Sequence, residues 1–285
     1  MRFRKIYLEI SNICNLRCSF CHGTRRAPRT MTAEEFSSVL EKIRPYTDYL
    51  YFHLMGEPLC HPNLRELLGI AESFGFRVII TTNGVLLPKT KELLLSSASL
   101  HKINISLHAF EANDLPLPFS DYLEGCLDFG KSAAGSDNKK IVVYRLWNKG
   151  GKDARNGEIL EAIREKFGDY DESYDNRRGI TLDTGVYLEY GNKFDWPDLS
   201  APDMGEEVFC YGLRDQLGIL CDGTVVPCCL DSEGDIALGN IFESSMDDIL
   251  SSARARALFD GFSNRCATEE LCRRCGYAQR FKQTK

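Results

Sequence analysis

Residues 11–22 read Ser11-Asn12-Ile13-Cys14-Asn15-Leu16-Arg17-Cys18-Ser19-Phe20-Cys21-His22. Three cysteines stand at C-x3-C-x2-C close to the start of the chain. A disulfide uses two thiols and a structural zinc site takes four ligands. Three close thiols therefore point to a metal centre with one position left open. Iron–sulfur clusters are held by thiolates in short runs of this kind. One loop can wrap a cubane and ligate three of its four irons, and Phe20, just before the third cysteine, would shield it from solvent. The competing reading is a zinc site completed by His22 or by a distant cysteine.

Outward from this loop, strand-like and helix-like segments alternate. Residues 6–10 form a short apolar strand that ends at the cysteines. Thr32 and Glu35 make a capping box, and Phe36, Val39, Leu40 and Ile43 mark one face of the helix that follows. Further strands are expected at residues 49–54, 77–82, 103–107, 141–147 and 186–190. Helices are expected around residues 64–71, 91–95, 122–132 and 159–167. Such alternation argues for a parallel sheet of six βα units, a partial (β/α)6 barrel rather than a closed barrel of eight. Sites in such folds gather at the C-terminal ends of the strands. The cysteine loop, Met55-Gly56-Glu57-Pro58, Asn83-Gly84 and His108 all fall at that rim.

The pattern breaks across residues 191–205. Beyond it, Asp222-Gly223 marks a hairpin, residues 246–259 read as one helix, and seven of the twelve cysteines follow Pro202. The expected division is a core of residues 1–200 and a small cysteine-rich α+β module of residues 201–285.

The 285 residues carry a net charge of −6, which argues against general nucleic-acid binding. Arg25, Arg26 and Arg29, and the terminal group Arg273, Arg274, Arg280, Lys282 and Lys285, read as solvated loop and tail. No apolar run is long enough for a membrane span and no signal peptide is evident, so the expected location is the cytoplasm. Twelve cysteines there point to metal or redox chemistry rather than disulfides.

With CNLRCSFC placed after a first strand, residues 5–190 resemble the radical S-adenosylmethionine (SAM) superfamily. The resemblance implies a [4Fe–4S] cluster on Cys14, Cys18 and Cys21, with SAM on the open iron. Reductive cleavage would give a 5′-deoxyadenosyl radical that removes a substrate hydrogen. LMGEP resembles the family's GGEP motif, with Met55 in place of the first glycine. Gly56 and Glu57 would then hold the SAM amino group, Ser106 would contact the ribose, and Arg145 could pair with the SAM carboxylate. His108 is a candidate proton donor or acceptor.

The run Cys210-x12-Gly223-x4-Cys228 resembles the opening of the SPASM and twitch modules that follow many radical SAM cores. One auxiliary [4Fe–4S] cluster on Cys210, Cys228, Cys272 and Cys275 fits best. Cys229 should point away from it, Cys266 could replace one ligand, and Cys60, Cys126 and Cys221 read as small buried residues. A zinc ribbon of Cys228, Cys266, Cys272 and Cys275 is the alternative. The function expected is a net oxidation or crosslink of a peptide, a protein or a small molecule, with flavodoxin or ferredoxin as reductant. A sugar- or aminocyclitol-type dehydrogenase or rearranging enzyme is the alternative, and a non-enzymatic zinc protein the remote one. A strand at the very start of the chain leans away from a self-sufficient peptide maturase.

Overall fold

A computed structural model describes residues 2–175 and 178–281. Strand Lys5–Leu8 (β1) sends Ile6 and Leu8 into the helical layer. Helix Ala33–Ile43 (α1) covers them with Phe36, Val39, Leu40 and Ile43. Its capping box is closed on both sides: Glu35 N–H donates to Thr32 Oγ1 (3.2 Å) and Thr32 N–H to Glu35 Oε2 (2.9 Å). Then come Tyr49–Tyr51 (β2), Leu64–Ser73 (α2), Arg77–Thr82 (β3), Leu87–Ser96 (α3), Leu100–Ser106 (β4), Phe119–Ala134 (α4), Ile141–Lys149 (β5) and Asn156–Phe167 (α5). A hairpin of Ile180–Asp183 (β6) and Val186–Asn192 (β7) closes the series.

The six expected parallel strands are β1, β2, β3, β4, β5 and β7, paired in that order. Strand β6 was not expected. It turns at Thr184-Gly185, with Gly185 at φ +76°, and pairs antiparallel on the outer edge of β7.

The C-terminal segment adds Gln216–Ile219 (β8), Thr224–Val226 (β9) and Gly239–Asn240 (β10). The hairpin at Asp222-Gly223 forms as expected. Its strand β8 also lies parallel to β1, Lys5 opposite Gln216 through Leu8 opposite Ile219, so one ten-stranded sheet crosses the expected boundary. The helix expected over residues 246–259 is two: Met246–Ser251 (α6) and Ala253–Ser263 (α7), before the short Glu270–Arg273 (α8). Ser252, at ψ 152°, leaves the helical region, and its hydroxyl accepts from Ala255 N–H. A serine that competes for backbone donors ends one helix and caps the next.

Among the basic residues after the first cysteines, Arg25 is exposed as expected, whereas Arg26 and Arg29 are tied into the fold. Arg26 pairs with fully buried Glu9 (2.7 Å) and donates to the Ser232 carbonyl (2.8 Å). Glu9 also accepts from the backbone N–H groups of Met55 and Cys221, both at 3.2 Å. Arg29 donates to the Cys221 carbonyl (2.8 Å). The core, the cysteine loop and the module are thus stapled at one buried carboxylate. In the tail, Arg273 pairs with Asp203 and Glu206, Arg274 pairs with Glu270, and Arg280 packs over Phe194 and Tyr277. Lys282 and Lys285 lie outside the described residues.

Candidate active site

The parallel strands have one apolar face toward the helices and one polar face toward a cavity of about 1,090 Å³. Alternation along each strand produces this division. Ile103 and Ile105 on β4 join the core, while Lys102, Asn104 and Ser106 line the cavity. At the C-terminal rim the cavity meets Cys14, Cys18 and Cys21. On its other side it reaches Cys210, Cys228 and Cys275 of the module. One cavity therefore touches both groups of cysteines.

The loop after β1 owes its shape to close backbone approach. Glu57 N–H donates to the Ile13 carbonyl (2.9 Å). Gly56 sits at φ +77°, and a Cβ there would lie 2.3 Å from the Ser11 carbonyl oxygen. Only glycine fits, which accounts for Gly56 in the Gly-Glu-Pro sequence. The Glu57 side chain is buried. Oε1 accepts from Leu59 N–H (3.0 Å) and Oε2 from Asn83 N–H (2.8 Å). Burial pushes its carboxyl up to about 7 against the lowering pull of these donors. The Thr82 side chain also hydrogen-bonds to it, so of the roughly four lone-pair sites of a carboxylate about one is left.

Each of the three rim sulfurs accepts a hydrogen bond. Leu16 N–H donates to Cys14 Sγ (3.4 Å), Asn113 Nδ2 to Cys18 Sγ (3.2 Å) and Gly23 N–H to Cys21 Sγ (3.4 Å). A thiol is a weak acceptor, and such donors suit metal-bound thiolates. Burial pushes the Cys14 thiol up to about 11 and raises Cys18 and Cys21 as well. A bound cation reverses that preference.

The remaining candidates line the same cavity. Phe20 stacks against His108 at 4.9 Å between ring centroids, and its carbonyl accepts from Trp196 Nε1 (3.1 Å). His108 Nδ1 lies 3.0 Å from the Arg145 carbonyl, a contact that calls for a proton on it, and 3.4 Å from the Trp147 N–H, one that calls for its lone pair. Burial holds its pKa below the usual value. Ser106 ends β4 beside it. Arg145 stacks over Trp147 at 4.4 Å and pairs through Nε with Glu189 (3.2 Å). Its outer nitrogens keep their donors.

In the module, Cys210, Cys228, Cys272 and Cys275 line one small pocket, while Cys229 and Cys266 do not. Burial raises all four thiols. Cys229 instead lines the large cavity and hydrogen-bonds with Tyr7. Cys126 and Cys221 are buried and Cys60 is half-buried. Among the described residues, no three His, Cys, Asp or Glu side chains stand close enough to hold a single metal ion.

Two residues support the cysteine loop in ways the sequence did not disclose. Asn83 links Glu57 to the loop, donating to Asn15 Oδ1 (2.8 Å). Asn113 holds Cys18 and also accepts from Arg17 N–H (2.9 Å). Asn83 falls at the rim with Gly84, within a TTNG stretch common in the radical SAM superfamily, but its link to Glu57 and Asn15 could not be read from it. Asn113 carried no signal, because its partner lies 95 positions away.

Residues 8–169 match the radical SAM superfamily, and residues 210–276 match SPASM, an iron–sulfur cluster-binding domain. The first match spans more than half of the chain, which therefore belongs to the radical SAM superfamily. The two matches imply SAM, a [4Fe–4S] cluster and auxiliary iron–sulfur ligation, and the donor-supported sulfurs fit such groups. The sporulation killing factor maturation protein SkfB of Bacillus subtilis is 25% identical over 87% of this chain and 64% of its own length. A tungsten-containing aldehyde ferredoxin oxidoreductase cofactor-modifying protein of Pyrococcus furiosus is 31% identical over 49% of this chain and 38% of its own. The chain thus spans less than two thirds of either relative. Among solved structures, BtrN in complex with AdoMet and 2-DOIA superposes with a TM-score of 0.60 at 18% identity, covering 96% of this chain and 94% of that one. Streptococcus suis SuiB gives 0.65 at 16%, covering all of this chain and 75% of its own. These likenesses show the fold.

Proposed function

We propose that this protein is a radical SAM enzyme that performs a net two-electron oxidation on an organic substrate held in the large cavity. The observation that carries this reading is the single cavity meeting both cysteine groups. When bound, the cluster at the rim supplies, with SAM and a flavodoxin or ferredoxin electron, a 5′-deoxyadenosyl radical for hydrogen abstraction, and an auxiliary cluster supplies a one-electron sink.

The protein's own part is to bind, orient and exclude water. Cys14, Cys18 and Cys21 hold the first cluster and leave one iron free for SAM. Glu57 accepts from the SAM ammonium group. Gly56 lets the backbone come close, and Ser106 and Arg145 hold the ribose and carboxylate. Phe20 shields the rim, and His108 lines the cavity as a proton donor or acceptor. Cys210, Cys228, Cys272 and Cys275 give four-thiolate ligation, which leaves no open position.

The cavity is at the upper end of small-molecule sites, with room for SAM and either a small molecule or a peptide side chain. SuiB bound to precursor peptide SuiA supports a peptide, and BtrN with 2-DOIA supports a small molecule. Three buried polar atoms without partners, His53 Nδ1, Asn104 Oδ1 and Trp147 Nε1, belong to residues that line it. They favour a polar substrate.

The test is anaerobic reconstitution, followed by iron and sulfide analysis and assay of 5′-deoxyadenosine with dithionite. About eight irons and reductive SAM cleavage are expected. A colourless protein that binds zinc and leaves SAM intact would end the enzyme reading.

A further inference from the structure

The cavity has a second chemical character away from the cysteine rim. Lys5 opens β1, at the end opposite the cysteine loop, and Lys102 lies on β4, four residues before the rim residue Ser106. Both line the cavity, as does Arg145. Among the described residues, neither lysine's ammonium group has a hydrogen bond or an ion pair within 4 Å. Lys5 Nζ stands over the rings of Tyr7 and Tyr51 at 5.1 and 5.4 Å. Burial chiefly, and Arg145 among the lesser causes, holds both lysines below their ordinary value. The carboxylates nearby are already engaged: Glu189 with Arg145 at 3.2 Å, and Asp215 with Arg4 at 3.7 Å. Two lysine side chains therefore face this lumen unpaired, while the two carboxylates that act on them are each held by an arginine. His53 stands between the same tyrosines with Nδ1 unsatisfied, and burial drives it down to about 3, so it stays neutral.

Partly desolvated cations in surplus are costly unless an anion joins them. We infer that Lys5 and Lys102 form an anion-binding subsite, and that the substrate carries a carboxylate or phosphate group seated there. This rests on the enzyme reading in that both place the substrate in the same cavity. The position is apt. Cys229 hydrogen-bonds with Tyr7 on this wall, and Cys210, Cys228 and Cys275 border the cavity beyond it. A substrate anchored by its anionic end would lie between the rim and the module.

The experiment uses the reconstituted, SAM-loaded protein with three matched probes: benzoate, phenyl phosphate and benzyl alcohol. Lysines are labelled with an amine-reactive reagent and quantified by peptide mass spectrometry. At four times its Kd, a bound anion should slow labelling of Lys5 and Lys102 about fivefold, because about one fifth of the sites stay free. Exposed Lys89 should not respond. Protection by one anion alone assigns the group as carboxylate or phosphate. Lys102→Met should abolish the protection of Lys5, with iron content confirming an intact protein. The inference is overturned if neither anion protects, if benzyl alcohol protects equally, or if Lys102→Met leaves protection of Lys5 intact. In that last case an altered potential at the auxiliary cysteines would assign the lysine charge to the cluster instead. SAM cleavage measured on the same sample separates the two readings. Cleavage without anion protection defeats only the subsite; loss of cleavage defeats the enzyme.

Discussion

The two cysteine groups solve opposite problems. The first is contiguous, three thiols in one loop at the open rim of the strands, each sulfur already accepting a hydrogen bond. The second is dispersed over residues 210–275 and assembled around one small pocket lined by Val208, Ile236, Phe262 and Leu271. As ligands, three at a wide cavity would leave a metal position for another molecule, and four in an apolar pocket would leave none. A reactive centre needs the first arrangement and an electron store the second. The contrast also predicts which changes each region tolerates.

The largest effect should come from the rim. Cys14→Ala, Cys18→Ala or Cys21→Ala should abolish SAM cleavage and lower the iron count from about eight to about four. Retained cleavage in any one of them would break the contrast. Gly56→Ala should come next. It meets the Ser11 carbonyl at 2.3 Å and keeps a left-handed φ. The backbone strain alone costs about 1–3 kcal/mol, and the overlap adds to it. Gly23→Ala, at φ +69° with nothing within 4 Å, is the matched control for strain without overlap. Equal denaturation midpoints for the two variants would show that the close approach is dispensable. In the module, Cys272→Ala should lose about four irons yet still cleave SAM, whereas Cys229→Ala and Cys266→Ala should keep the full count. Iron loss in Cys266→Ala would redraw the ligand set.

These regions were not equally legible. The rim could be read because its information is local: a strand, a loop with three cysteines, and a Gly-Glu-Pro turn. The capping box of α1 and the Asp222-Gly223 hairpin were legible for the same reason. The four dispersed cysteines could be chosen only through the resemblance to SPASM and twitch modules, and the structure lines one pocket with them. Contacts between distant segments left no local trace. Glu9 meets Cys221 N–H across 212 positions, and Asn113 reaches Cys18 across 95. The pairing of β8 with β1 was hidden too, because both strands are short apolar runs that could have paired elsewhere. Lys5 and Lys102 carried no signal at all, since nothing in residue type tells which face of a strand meets the cavity.

The smallest effect tests the rim at the level of one proton. Glu57 is buried, with its carboxyl pushed up to about 7. Its folded pKa lies above its unfolded one. The stability its protonated form contributes is therefore present at acid pH and lost as pH rises through about 7. SAM binding should follow the opposite course, because only the ionised carboxylate accepts fully from the ligand's ammonium group. The ionised fraction rises about tenfold between pH 6 and pH 8, so the Kd for SAM should fall by up to about tenfold over that range. Glu57→Gln removes the titration and should flatten this part of the profile, while any proton lost by the SAM amino group affects both proteins alike. Calorimetric titration at the two pH values gives the difference directly. Parallel profiles would mean that Glu57 only organises the turn through Leu59 and Asn83 and does not touch SAM.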